Sequence, residues 1–261
     1  MGLGEGFFLP CLSALTSKWF SANEKASSAA IFTSGNAGVS MPWRKLLWST
    51  ASMAVYLCTA VDMACVIITQ AYLPQFMKEV LKLPIRENGL YTMVPFVCQI
   101  VTKNLAAPFG DHLKRRGILS HTTAVRTFQS ISAFGAATCL YLMAIIPDCN
   151  SPSLALPLLA LYGTFYSTCT MGYFTSMLSI APPFAGTVAS ISRTYGTLGQ
   201  IFGTSFVGAL SFLTPIARWQ TIFSTLATLK IAAGLFFLRF GSADVQPWAH
   251  LPEPESKKQI E

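Results

Sequence analysis

Residues 107–117 read APFGDHLKRRG: one acid, one histidine and three cations wedged between two almost wholly apolar runs. Across the 261 residues only 11% are charged, while 52% are hydrophobic. Ordinary globular chains carry about 25% charged residues, so this chain lacks the charge to clothe a water-facing surface of its size. Lipid is the solvent that fits, and the clustered charges then mark a turn at the membrane edge. The class is an all-α, polytopic transmembrane protein.

Working outward from that turn, a spanning helix needs roughly 20 mostly apolar residues. Six stretches reach that length: 53–73, 88–109, 125–146, 154–178, 184–209 and 217–239. Polar or proline-bearing segments bound them, including KEVLKLPIRE, PDCNSPS and SIAPPFAG. The formal net charge is +7, but the cations sit in short gaps between apolar runs rather than on one solvated face, which excludes nucleic acid as a partner. With the start of 53–73 in the cytosol, Arg44, Lys45, Lys114, Arg115, Arg116, Arg126 and Arg239 lie inside, against Lys78, Lys82, Arg86 and Arg218 outside. The start MGLGEGFF lacks the basic region of a cleavable signal peptide. Seven scattered cysteines show no CxxC spacing, so no metal, cofactor or disulfide is expected. No nucleophile–base constellation is present either, and an enzyme is not expected.

Upstream the pattern is less regular. Residues 2–20 and 27–41 are too short or interrupted for full spans, and SSAAIFTSGNAGVSM runs abruptly into PWRKLLW. The organisation read from the chain is therefore 1–41 as partial helices, 42–52 as an amphipathic basic linker, 53–239 as a six-helix bundle, and 240–261 as a disordered cytosolic tail.

The motif APFGDHLKRRG resembles the loop between the second and third helices of each half of the major facilitator superfamily, with Asp111, Arg115 and Arg116 on matching positions. Ala107, His112 and Lys114 depart from that pattern. The ordered series PWRKLLWSTASMAVY, LPQFMKEVLKLPIRENGLYTMVPF, IAPPFAGTVASISRTYGTLGQIFG, RWQTIF and GSADVQPWA resembles the C-terminal half of solute carrier family seventeen, over residues 42–249. That family includes sialin, the vesicular glutamate transporters and sodium–phosphate cotransporter relatives. GLGEGFFLPCLSALTSKWF and SSAAIFTSGNAGVSM resemble its fourth helix and part of its fifth. The resemblance implies the superfamily's C-terminal six-helix bundle with one or two partial helices of the N-terminal half, and an internal deletion near Val39–Pro42.

Ionised side chains within spans are costly and are functional candidates by default. Asp62, Lys103, Arg193 and Lys230 all lie about 12–14 Å from the cytosolic face at 1.5 Å per residue. In one reading Arg193 or Lys103 binds an anionic substrate while Asp62 takes up a coupling proton; in the other Asp62 pairs permanently with Lys103. Lys230, on the last helix, is expected to snorkel toward a surface. The resemblance adds Glu5, where the family's fourth helix carries a glutamate implicated in proton coupling. It also assigns Asp111, Arg115 and Arg116 to a cytosolic gate network, against the simpler reading of topology-setting charge. Asp62 stands where vesicular members carry an arginine, which argues against glutamate as substrate, and Ser176, Met177, Leu178 and Ser179 replace the family's Asn-His-Leu-Asp.

The function implied is secondary transport of an organic anion or phosphate with a coupling proton or sodium, at a plasma, vesicular or lysosomal membrane. The alternative is a truncated, non-transporting membrane protein acting as an assembly partner or regulator.

Overall fold

Described in the computed structural model are residues 42–82, 84–117, 119–146, 154–213 and 218–249. The chain divides into two compact units, Met1–Pro42 and Trp43–Glu261. Glu5 and the expected partial helices of the first unit fall outside the described residues. The second unit is helical, with no strand among the described residues. Its helices are α1 (Trp43–Trp48), α2 (Thr50–Ala71), α3 (Leu73–Glu79), α4 (Ile85–Arg115), α5 (His121–Ile145), α6 (Ala155–Ser167), α7 (Tyr173–Ser179), α8 (Ala185–Leu213) and α9 (Arg218–Phe240).

The rods form an all-α bundle of a polytopic membrane protein. α2 packs on α8 and α9, α9 on α5, α5 on α6, and α6 on α4. Small residues let backbones approach closely where lipid gives helices no hydrophobic drive to associate. At Gly199 of α8 an added Cβ would lie 2.0 Å from the Ala60 carbonyl oxygen of α2. By length and composition α2, α5 and α9 each suffice to cross a membrane, and 155–179 with 182–211 pass together as a pair bent by 96°. The sequence pointed to six spans. α4 is less apolar because it holds Arg86, Glu87, Lys103 and Asp111, whereas the expected spans 154–178 and 184–209 pass only together, as the bent pair.

Three local expectations are corrected. The charged motif is not a loop: α4 runs through it to Arg115, and Gly117 ends the helix with φ 68°. Its basic residues suit a helix C-terminus, where the backbone dipole favours positive charge, and glycine takes the left-handed turn at no steric cost. The expected span 154–178 is broken. α6 stops at Ser167, a 3-10 turn covers Thr168–Thr170, and α7 begins at Tyr173. The side-chain oxygen of buried Gln129 on α5 accepts a hydrogen bond from the Tyr173 amide at 3.1 Å, satisfying one of the backbone donors that the new helix start leaves open.

The expected disordered tail is also corrected for residues 241–249, which lie across the ends of α5 and α7 as a strap. Arg126 Nε donates to the Gly241 carbonyl at 2.7 Å, and Ser176 Oγ to the Ser242 carbonyl at 2.5 Å. Thr122 Oγ1 donates to Asp244 Oδ2 at 2.6 Å and accepts from the Ala243 amide at 3.0 Å. The Gln246 amide reaches the Ile180 carbonyl at 2.9 Å, and Ala249 is buried. Polar side chains at helix ends thus complete the strap's backbone hydrogen bonds, which holds an otherwise irregular segment in place. At the other end of α9, Arg218 and Trp219 both bond Glu79 of α3, the indole nitrogen at 2.8 Å.

Candidate functional site

The interior charges follow from how α9 lies against α2. The two run antiparallel, with Cys58 Sγ 3.6 Å from the Ala233 carbonyl. One turn further, Asp62 meets Lys230. Lys230 Nζ stands 2.5 Å from Asp62 Oδ1, with the two side chains only 1% and 2% exposed. The contact is ionic rather than a well-directed hydrogen bond, and Asp62 Oδ2 has no hydrogen-bond partner. The ammonium also lies 5.0 Å from the centre of the Tyr166 ring on α6, a favourable place for a desolvated cation.

This arrangement overturns two expectations. Lys230 does not snorkel to a surface but is among the most buried side chains of the bundle. Asp62 pairs with Lys230, not with Lys103. The physical reason is the direction each residue faces. Asp62 looks inward toward α9, whereas Lys103 on α4 is exposed.

Arg193 on α8 is exposed as well, and among the described residues neither it nor Lys103 has an acidic partner. Immediately before Arg193, Ser192 is buried and shares a hydrogen bond with Thr59 of α2 at 3.0 Å, and two residues after it Tyr195 stacks on Tyr56 with ring centres 5.1 Å apart. These contacts fix the rotation of α8 and thereby the side on which Arg193 emerges. Asp111, Arg115 and Arg116 fall at the end of α4 and just beyond it, with Arg116 exposed.

Sequence reasoning missed Lys230 as the partner of Asp62, although their equal depth was a usable signal. It missed Gln129 and the break at 168–172, for which the run Ser-Thr-Cys-Thr before Gly172 was the local sign. It also missed Ser176, whose hydroxyl anchors the strap.

An all-α membrane bundle with ionised residues held midway along its helices defines a polytopic integral membrane protein with a charged interior. A profile of the Major Facilitator Superfamily matches residues 39–204, and the chain belongs to that family. It is 26% identical to an uncharacterized transporter, slc-17.3, of Caenorhabditis elegans over 334 aligned positions, covering 100% of this chain and 62% of the relative. It is 30% identical over 210 residues to sialin of Ovis aries, covering 80% of this chain and 42% of sialin. It is 28% identical over 194 residues to sodium-dependent phosphate transport protein 3 of Mus musculus, covering 74% of this chain and 38% of that protein. These relatives meet the resemblance to solute carrier family seventeen. The chain spans less than two thirds of the length of each.

Proposed function

We propose that the bundle is the anion-handling half of a secondary transporter for an organic anion or phosphate, coupled to a proton or sodium ion. The observation that carries this reading is the charge balance of the helices. Asp62 and Lys230 neutralise each other, which leaves Lys103 and Arg193 as exposed cations without an acidic partner among the described residues. Uncompensated cations at mid-helix are costly in lipid and are tolerated where a cavity or an anion meets them. In carriers of this kind substrate binds near the midplane between two repeats, beside broken helices, and this bundle contains such an interruption at 168–172. One relative's name specifies a sodium-dependent phosphate transporter. In this reading Lys103 and Arg193 hold the anion, Glu5 is the coupling carboxylate, and Asp111, Arg115 and Arg116 form the cytosolic gate.

A second reading is favoured by the match to the nematode transporter, whose 334 aligned positions exceed the 261 residues of this chain. The surplus fits an internal deletion. A deletion that removes part of the facing repeat would leave a bundle unable to enclose a central site, and the protein would then act as an assembly partner. Met93, Val97, Ile100, Leu105 and Phe109 of α4 are exposed, which fits lipid or a second helical bundle equally.

Uptake by the full 261-residue chain in proteoliposomes separates the two. The transport reading expects accumulation of labelled phosphate or a carboxylate anion driven by a proton or sodium gradient, and its loss in K103A/R193A. Absence of uptake for every anion, by correctly inserted protein, selects the second reading.

A further inference from the structure

Lys230 is buried without being part of the anion site, and its only ionic partner among the described residues is Asp62. We propose that Lys230 is a positioning residue that forms with Asp62 one permanently closed, neutral unit locking α9 to α2, so that ion coupling does not run through Asp62.

The geometry supports closure. The pair occupies the antiparallel seam one turn from the Cys58–Ala233 contact. The titratable groups within electrostatic reach of Asp62 are Cys58 and Cys65 of α2, Tyr162 and Tyr166 of α6, Cys169 in the 3-10 turn and Tyr173 of α7. All are neutral when protonated, and among the described residues no second carboxylate joins them. A coupling carboxylate has to exchange its proton with water once per cycle. Here neither charge has solvent beside it, and protonating Asp62 would leave the Lys230 ammonium alone in a low-dielectric interior, which is far costlier than the intact pair. Removing both charges together leaves no such orphan, so the pair behaves as a unit in a double-mutant cycle.

The test is that cycle in the full chain: wild type, D62N, K230M and D62N/K230M, purified in detergent and followed by thermal unfolding and by size-exclusion profile. Each single variant is expected to melt lower or to aggregate. The double variant is expected to recover a monodisperse profile and a melting temperature close to wild type. If the double variant is as unstable as the singles, or if either single is as stable as wild type, the proposal is overturned. This arm reads the lock whether or not the chain transports, so its failure is distinct from failure of the transport reading. The second arm rests on that reading: uptake by D62N/K230M keeps its dependence on the pH or sodium gradient. A folded double variant whose residual uptake no longer responds to the gradient would place coupling at Asp62 and overturn the proposal.

Discussion

Between α2 and α9 a carboxylate and an ammonium meet at 2.5 Å with almost no exposure. On α4 and α8 two cations at a similar depth along their helices stand exposed, with no acidic partner among the described residues. The same charge at the same depth thus has two fates, and rotation about the helix axis decides between them. A residue turned into the seam finds a counter-ion and becomes part of the packing. A residue turned out of it stays available to a ligand. Burial therefore predicts which substitutions harm the fold, and exposure predicts which harm binding.

The sharpest way to break this contrast is to substitute one member of each region. K230A is expected to cost about 3–5 kcal/mol, because the Asp62 carboxylate is left buried and unpaired, whereas R193A leaves the melting temperature in detergent unchanged. Equal melting shifts for the two would end the distinction. Next in size, G199L forces a side chain against the Ala60 backbone and is expected to destabilise by at least about 1–3 kcal/mol through overpacking, read by the same unfolding measurement. It separates α8 from α2 and so tests whether the two regions share one scaffold.

Smaller still on stability, K103A and R193A are each expected to weaken anion binding about tenfold, the equivalent of about 1.4 kcal/mol, measured as the half-saturating concentration for uptake, with no change in melting. The smallest effect belongs to Glu79. Partial burial pushes its carboxyl up, but hydrogen bonds from Gln75, Trp219 and Arg218 and the charge of Arg218 outweigh this and hold it below the ordinary 4.5. A depressed carboxyl contributes stability above its unfolded value and loses it as pH falls through the folded one. Because Glu79 is 39% exposed, solvent screening limits the pair to about 1 kcal/mol or less. E79Q should flatten the acid side of the stability profile below about pH 4.5 by no more than that.

The rods were legible because apolar length is written directly in composition, and the depth of Asp62, Lys103, Arg193 and Lys230 followed from counting residues. Their pairing was not legible. Sequence adjacency pointed Asp62 toward the next span, α4, while the fold brings α9 alongside α2. Depth is a one-dimensional quantity that the chain spells out, whereas azimuth and neighbour choice emerge only when all the helices pack. The strap at 241–249 was hidden for a related reason. Its sequence is short, polar and proline-containing, as a free tail would be. Its order comes from Thr122, Arg126 and Ser176, which are distant in sequence. The break at 168–172 was obscured because its residues are apolar enough to pass as one span, and the Gln129 side chain that caps the second half belongs to another helix.

The seam between α2 and α9 also has a history during biosynthesis. Asp62 is translated well before Lys230, with more than half of the chain between them. At about 5–20 residues per second the wait lasts roughly ten seconds or more. Over that interval the nascent polypeptide carries an acid that alone costs about 2.5–3.5 kcal/mol at a bilayer centre. The apolar residues of α2 have to outweigh that cost on their own until α9 is made, and the arrival of Lys230 then removes it.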